Sequence, residues 1–198
     1  MMNGCPRWSV LALPLLAALG CSDPVPRPAQ GNLTLSIQPP TGTGNCPVPG
    51  TTYVIGNPKG PNKEPPSPSP GDRLIDGEHG ATIKCSVQGS STFTFSGTIK
   101  GITNTTPSSK VSFQILSGSV NMDQMTGTAT VAVNTNELAG NFTSPTGDCK
   151  VSVVGPNVKG GSIWASITCP NISDPTSPGK ACKVGDTTTF VLENCEGS

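Results

Sequence analysis

The chain is short of charge, of aromatic rings and of histidine, and each shortage removes a class of function. Charged residues are 12% of the sequence, about half the usual share, and the twelve Lys and Arg balance the twelve Asp and Glu with no block of either sign. Nucleic acid, which is held through clustered cations, is therefore not an expected partner. There is one histidine and no Cys-x-x-Cys, so the usual zinc sites are absent and neither a metal nor another cofactor is expected. Aromatic residues are 4% of the chain, and a core with so few rings calls for other means of stabilisation. No stretch outside the first twenty residues keeps an i, i+3, i+4 apolar face over a dozen positions, which argues against helices.

What is present begins with Arg7-Trp8-Ser9 followed by the apolar run Val10–Leu19, interrupted only by Pro14. A ten-residue run of this kind matches a signal-peptide core and is about half of what a membrane-spanning helix needs. Small residues at 17, 18 and 20 precede Cys21. Over these first 21 residues the chain resembles bacterial lipoprotein precursors, with Ala18-Leu19-Gly20-Cys21 similar to their lipobox. That resemblance implies cleavage before Cys21 by signal peptidase II, a diacylglyceryl thioether on its sulfur and acylation, for instance by palmitate, of the new amino terminus. Two or three acyl chains hold a protein stably at a membrane where one does not. The expected localisation is the cell envelope, with the domain facing the periplasm or the exterior. An ordinary secretory signal, leaving a secreted chain without lipid, is the alternative.

Residues 1–20 are thus read as signal peptide, 21–30 as a Pro-rich tether and 31–198 as a single domain. Prolines at 24, 26 and 28 favour an extended spacer of roughly 25–30 Å that holds the domain off the membrane. Ten of the 21 prolines lie between Pro39 and Pro70, whereas Ala81–Pro170 holds four. The segment 57–73 cannot bury apolar surface and reads as a Pro-rich mobile loop.

Period-2 alternation dominates the rest. It marks Asn32–Gln38, Thr51–Ile55, Ala81–Val87, Phe93–Ile99, Val111–Ile115, Ala129–Val133, Leu138–Thr143, Cys149–Val153, Ile163–Cys169 and Thr187–Leu192. About eight to ten short strands at this spacing predict an all-β fold, an antiparallel sandwich or open barrel.

Cys46, Cys85, Cys149, Cys169, Cys182 and Cys195 form an even set once Cys5 and Cys21 are set aside, which fits three disulfides in an oxidising compartment. A hairpin about residue 159 places Val151 opposite Ile167, Val153 opposite Ala165 and Cys149 opposite Cys169, within bonding range. Simple proximity pairs the others as Cys46–Cys85 and Cys182–Cys195, two of fifteen arrangements for six cysteines.

Candidate chemistry is sparse. Asp72, Asp76, Glu78 and His79 cluster, and an extracytoplasmic enzyme would have to use His79 as its base. A polar turn leading into the next strand is the simpler reading, and no catalytic residue is assigned. Trp164 lies out of phase with Ile163, Ala165 and Ile167, so it faces outward, either stacking on a sugar or covered by the segment 170–186. Thr126, Thr128 and Thr130 alternate on one face, a hydroxyl row that could meet polysaccharide or ice. The expectation is a non-enzymatic structural or binding module, tied to a membrane through Cys21, with a protein or carbohydrate ligand.

Overall fold

A computed structural model describes residues 26–40, 42, 44–56, 73–103, 107–177 and 179–196, apart from the side chains of 155–157. The signal segment, Cys21, and all of the segment 57–73 except Arg73 lie outside the described residues. Twelve strands follow in chain order: β1 Gln30–Gln38, β2 Thr51–Ile55, β3 Leu74–Ile75, β4 Thr82–Gly89, β5 Thr92–Ile102, β6 Lys110–Asn121, β7 Thr126–Thr135, β8 Phe142–Thr143, β9 Cys149–Lys159, β10 Ser162–Ser173, β11 Ala181–Val184 and β12 Thr189–Glu193. The fold is all-β and antiparallel, and the described residues contain no α-helix, only a 3-10 turn at Glu78–Gly80.

Several elements depart from the sequence expectation. Four central strands run eleven or twelve residues, longer than their alternating cores suggest. Leu138 belongs to no strand. It is fully buried in the turn after β7, where its amide donates to Thr135 Oγ1, and only Phe142–Thr143 of that predicted strand pairs. The segment 170–186, expected as a loop that covers Trp164, is largely strand, since β10 continues to Ser173 and β11 pairs with both β10 and β1.

β1 is flanked by β2 and β3 on one side and by β12 and β11 on the other. From there the sheet runs through β10, then β9 and β8, to β7, β6, β5 and β4. It folds back so that the inner faces of the two halves meet. Leu33, Leu35 and Ile37 of β1, Phe190 and Leu192 of β12, Phe95 of β5 and Phe113 of β6 share this core. The ring centroids of Phe95 and Phe113 lie 6.1 and 6.3 Å from that of Phe190, the separation at which aromatic pairs attract.

The sheet then closes on itself. After β12 the chain turns at Asn194, whose φ of 53° is one that asparagine tolerates. Residues 195–196 then run parallel to β4. Glu196 accepts from the Val87 amide and donates to the Cys85 carbonyl, and the Gly161 amide donates to the Val87 carbonyl. Farther along the same edge the Ile83 amide donates to Asp76 Oδ1 at 2.7 Å. An exposed strand edge is a template for aggregation, and here β4 is covered by three different segments.

All six body cysteines are bonded, as Cys149–Cys169, Cys46–Cys182 and Cys85–Cys195. Val151 faces Ile167 and Val153 faces Ala165, and the register shifts only nearer the turn, between Ile163 and Ala165. The proximity pairings Cys46–Cys85 and Cys182–Cys195 are corrected. Cys46 lies beside β11 because Asn45 bridges Lys180, and Cys85 meets the strand that closes the β4 edge. These two bonds span 136 and 110 residues, so in chain-entropy terms each is worth about 4–5 kcal/mol alone, less together because the loops overlap.

Gly118 lies directly opposite Phe95 on the neighbouring strand and leaves room for its ring. A Cβ there would stand 2.3 Å from the Phe95 ring. Gly118→Ala is expected to displace that ring and lower stability by about 1–3 kcal/mol, read as a lower urea midpoint with unchanged m-value.

Candidate functional site

The tether does not stay clear of the domain. Gln30 already opens β1, the Asp76 amide donates to the Ala29 carbonyl at 2.9 Å, and Asn194 Nδ2 donates to the Pro28 carbonyl at 3.2 Å. Residues 26–29 are therefore laid against the β4 edge and the chain leaving β12. A groove of about 990 Å³ lies there, between Pro26–Ala29 and the outer face of β4, β5 and β6. A second cleft of about 480 Å³ shares Arg27 and Asn194 with it and continues past Arg73, Lys159 and Glu193.

The floor of the larger groove follows from strand register. Lys84 pairs with Thr98 and Thr98 with Gln114, forming one lateral row across three strands, while Ser86 pairs with Ser96 in the next. These side chains point outward because Ile83, Cys85, Phe95, Ile99, Phe113 and Ile115 take the inner positions. Between Ile115 and Ser117 the register shifts, and the extra residue, Leu116, stands out from the surface 51% exposed. Arg27 and Lys84 at this groove are matched by Asp76 and Glu196.

Beside the smaller cleft, the outer face of β10 and β12 carries a buried ion pair. Arg73 Nε lies 2.7 Å from Glu193 Oε2, with the two side chains 4% and 21% exposed. Trp164 Nε1 donates to Glu193 Oε1 at 2.9 Å, and the Arg73 guanidinium stacks 4.8 Å from the Trp164 ring centroid. The sequence placed Trp164 outward correctly but assigned its cover to the segment 170–186. The cover is Arg73, the last residue of what the sequence presented as a mobile loop. Next along β1, Asn32 is 1% exposed and its side-chain amide has no hydrogen-bond partner among the described residues.

The acidic cluster around His79 is structural in its contacts. Asp76 caps the β4 edge, and Glu78 Oε2 accepts from the Ile75 amide. His79 has a side chain 79% exposed and lies 3.6 Å from Glu78 Oε1. Asp72 lies outside the described residues. Among the described residues no group of three His, Cys, Asp or Glu is placed to hold a metal ion. Thr126 and Thr128 are exposed, but Thr130 is buried and accepts from the Gly147 amide, so the hydroxyl row stops after two.

A polar cluster that the sequence did not signal lies across β2 and the turn after β7. The Tyr53 hydroxyl donates to Glu137 Oε2 at 3.2 Å and meets Thr135 Oγ1 at 3.3 Å, while Ser109 Oγ donates to Glu137 Oε1. Burial alone would raise the Glu137 carboxyl, but the hydrogen bonds from Ser109, Thr135 and Tyr53 outweigh it and hold it below its ordinary value. Burial, aided by the Glu137 charge, raises the Tyr53 phenol against the lowering effect of Thr135. The arrangement satisfies a core tyrosine at the barrel wall.

Two predictions follow from these polar contacts. Glu193→Gln removes the carboxylate charge 2.7 Å from the buried Arg73 Nε and should cost about 3 kcal/mol in chemical denaturation, whereas Arg73→Met with Glu193→Gln should cost less than the sum of the two single changes. Because Glu137 is depressed in the folded state, its contribution is complete above the ordinary value of 4.5 and is lost as pH falls through the folded value. Because Tyr53 is raised, its contribution is complete below 10.0 and is lost as pH rises past it. Thermal midpoints scanned against pH should show both limbs, with Glu137→Gln flattening the acid limb and Tyr53→Phe the alkaline one. No protein-family model, curated protein or solved structure matches the chain.

Proposed function

We propose that the protein is a lipid-anchored β-domain of the cell envelope, acting as a binding or structural module with no catalytic role. One observation supports the anchor: the three disulfides use all six body cysteines, so none of the described cysteines is left to pair with Cys21. A cysteine in that position after a signal-like run then has its sulfur available for the thioether. The internal pairing also favours an oxidising compartment, which supports export.

The described start of the chain changes the expected geometry. Pro26 lines the groove wall and is five residues after Cys21, so at full extension the two stay within about 18 Å. The spacer is therefore shorter than the 25–30 Å its composition suggests, and the groove beside Pro26–Ala29 stays near the bilayer. The module reading draws on that groove, and on the use of Asp76 and Glu78 as caps of backbone amides, with the His79 side chain 79% exposed beside Glu78.

Expression in a bacterial host with an alkyne analogue of palmitate tests the anchor. The expected outcome is label on the mature chain, partition into the detergent phase, and loss of both in Cys21→Ser. An unlabelled wild-type chain in the aqueous phase overturns it.

A further inference from the structure

We infer that the 990 Å³ groove is a binding site for a neutral carbohydrate, seated with the C–H face of a sugar ring on Leu116 and its hydroxyl rim on Ser86, Ser96, Thr98 and Gln114. The inference deepens the binding-module part of the reading above and does not depend on lipid at Cys21.

Three features of the groove point to this class. First, its lining sets one exposed aliphatic side chain among polar ones. Leu116 is 51% exposed only because a β-bulge in β6 gives it an extra position, and bulges are a common means of re-aiming one side chain at a site. The groups around it are two serines, a threonine and a glutamine, each able to donate and accept. An amphipathic ring with apolar faces and a rim of hydroxyls meets both demands together, whereas a purely apolar ligand would strip water from these side chains without replacing its hydrogen bonds.

Second, the charges cancel. Arg27 and Lys84 face Asp76 and Glu196, and Asp76 is already engaged by the Ile83 amide. An anionic or cationic ligand would meet one repelling partner for each attracting one, so an uncharged ligand fits best. Third, the floor is rigid. The rows Lys84–Thr98–Gln114 and Ser86–Ser96 are fixed by the ladders of β4, β5 and β6, and the Cys85–Cys195 bond lies in the groove wall. Groups spaced about 4.8 Å apart across strands form a preformed array, which limits the entropy lost on binding. The volume lies at the upper end of the usual range for small-molecule sites.

The test uses the full disulfide-bonded chain carrying Cys21→Ser, which is free of lipid whether or not the wild type is anchored. Its ¹⁵N-labelled amides are followed by NMR during titration with neutral malto-, cello-, chito- and laminari-oligosaccharides, an acidic uronate oligomer and a Pro-rich peptide. The expected result is saturable shifts for at least one neutral sugar, confined to β4–β6 around Thr98 and Gln114. Leu116→Ser should weaken that binding about tenfold, the loss expected when one leucyl contact is removed, and Gln114→Ala should weaken it severalfold. Ser119→Ala, on the same outer face beyond the groove, should leave it unchanged. The inference is overturned if every neutral sugar leaves the groove amides unmoved, if the uronate or the peptide binds there more tightly, or if both groove variants bind like the parent. Leu116 and Gln114 lie on the surface, so a fold-preserving variant is available even where one of the two perturbs the domain. Lipid labelling reports separately, so failure of one reading leaves the other standing.

Discussion

The covering of the β4 edge is the constraint on which this fold depends. A sheet that begins at β4 and winds back to β1 leaves one outer strand with unpaired amides and carbonyls, and water-facing edges of that kind invite other chains. Here the edge is met by Asp76, by the turn at Gly161 and by Cys195–Glu196 after the bend at Asn194. The Cys85–Cys195 bond makes that last contact covalent. With the edge held, β12 lies over β5, and Gly97 opposite Cys85 leaves room for the Leu192 side chain. The phenylalanines of β5, β6 and β12 then share one core.

The same closure shapes the outside. Asn194 turns the chain and also holds Pro28, so the segment before β1 is drawn against the barrel as a wall, and the surfaces on either side of it become clefts. Arg73 acts similarly on the other flank, bridging Glu193 and the Trp164 ring and converting an outward tryptophan into a covered one. Asn32, buried nearby, has a side-chain amide with no hydrogen-bond partner among the described residues, a polar group set inside this outer layer.

Local pattern made most of the strands legible. Alternation at Leu33, Leu35 and Ile37, or at Ile83, Cys85 and Val87, sets inner and outer faces, and these are the faces the residues occupy. The pairing of Cys149 with Cys169 could be reached from hairpin register, a relation between neighbours in sequence. The other bonds could not, because Cys46 meets Cys182 and Cys85 meets Cys195 through contacts among segments more than a hundred residues apart. Leu138 looked like a strand residue because a buried turn position is as apolar as a strand position. β11 was lost among Pro, Gly and Ser, and Arg73 among prolines, since composition reports neighbours along the chain and not across space. The Leu116 bulge leaves only a faint trace, the adjacent apolar pair Ile115-Leu116 and the change of buried parity from Val111, Phe113 and Ile115 to Val120.

The two long disulfides are interleaved, 46 with 182 and 85 with 195, and this bears on how the molecule is made. A polypeptide delivered amino end first presents Cys46 and Cys85 long before either true partner has emerged, so a bond between these two at that stage would be non-native. Biogenesis therefore requires either that oxidation wait for the carboxyl-terminal strands or that a thiol–disulfide isomerase reshuffle the early bond.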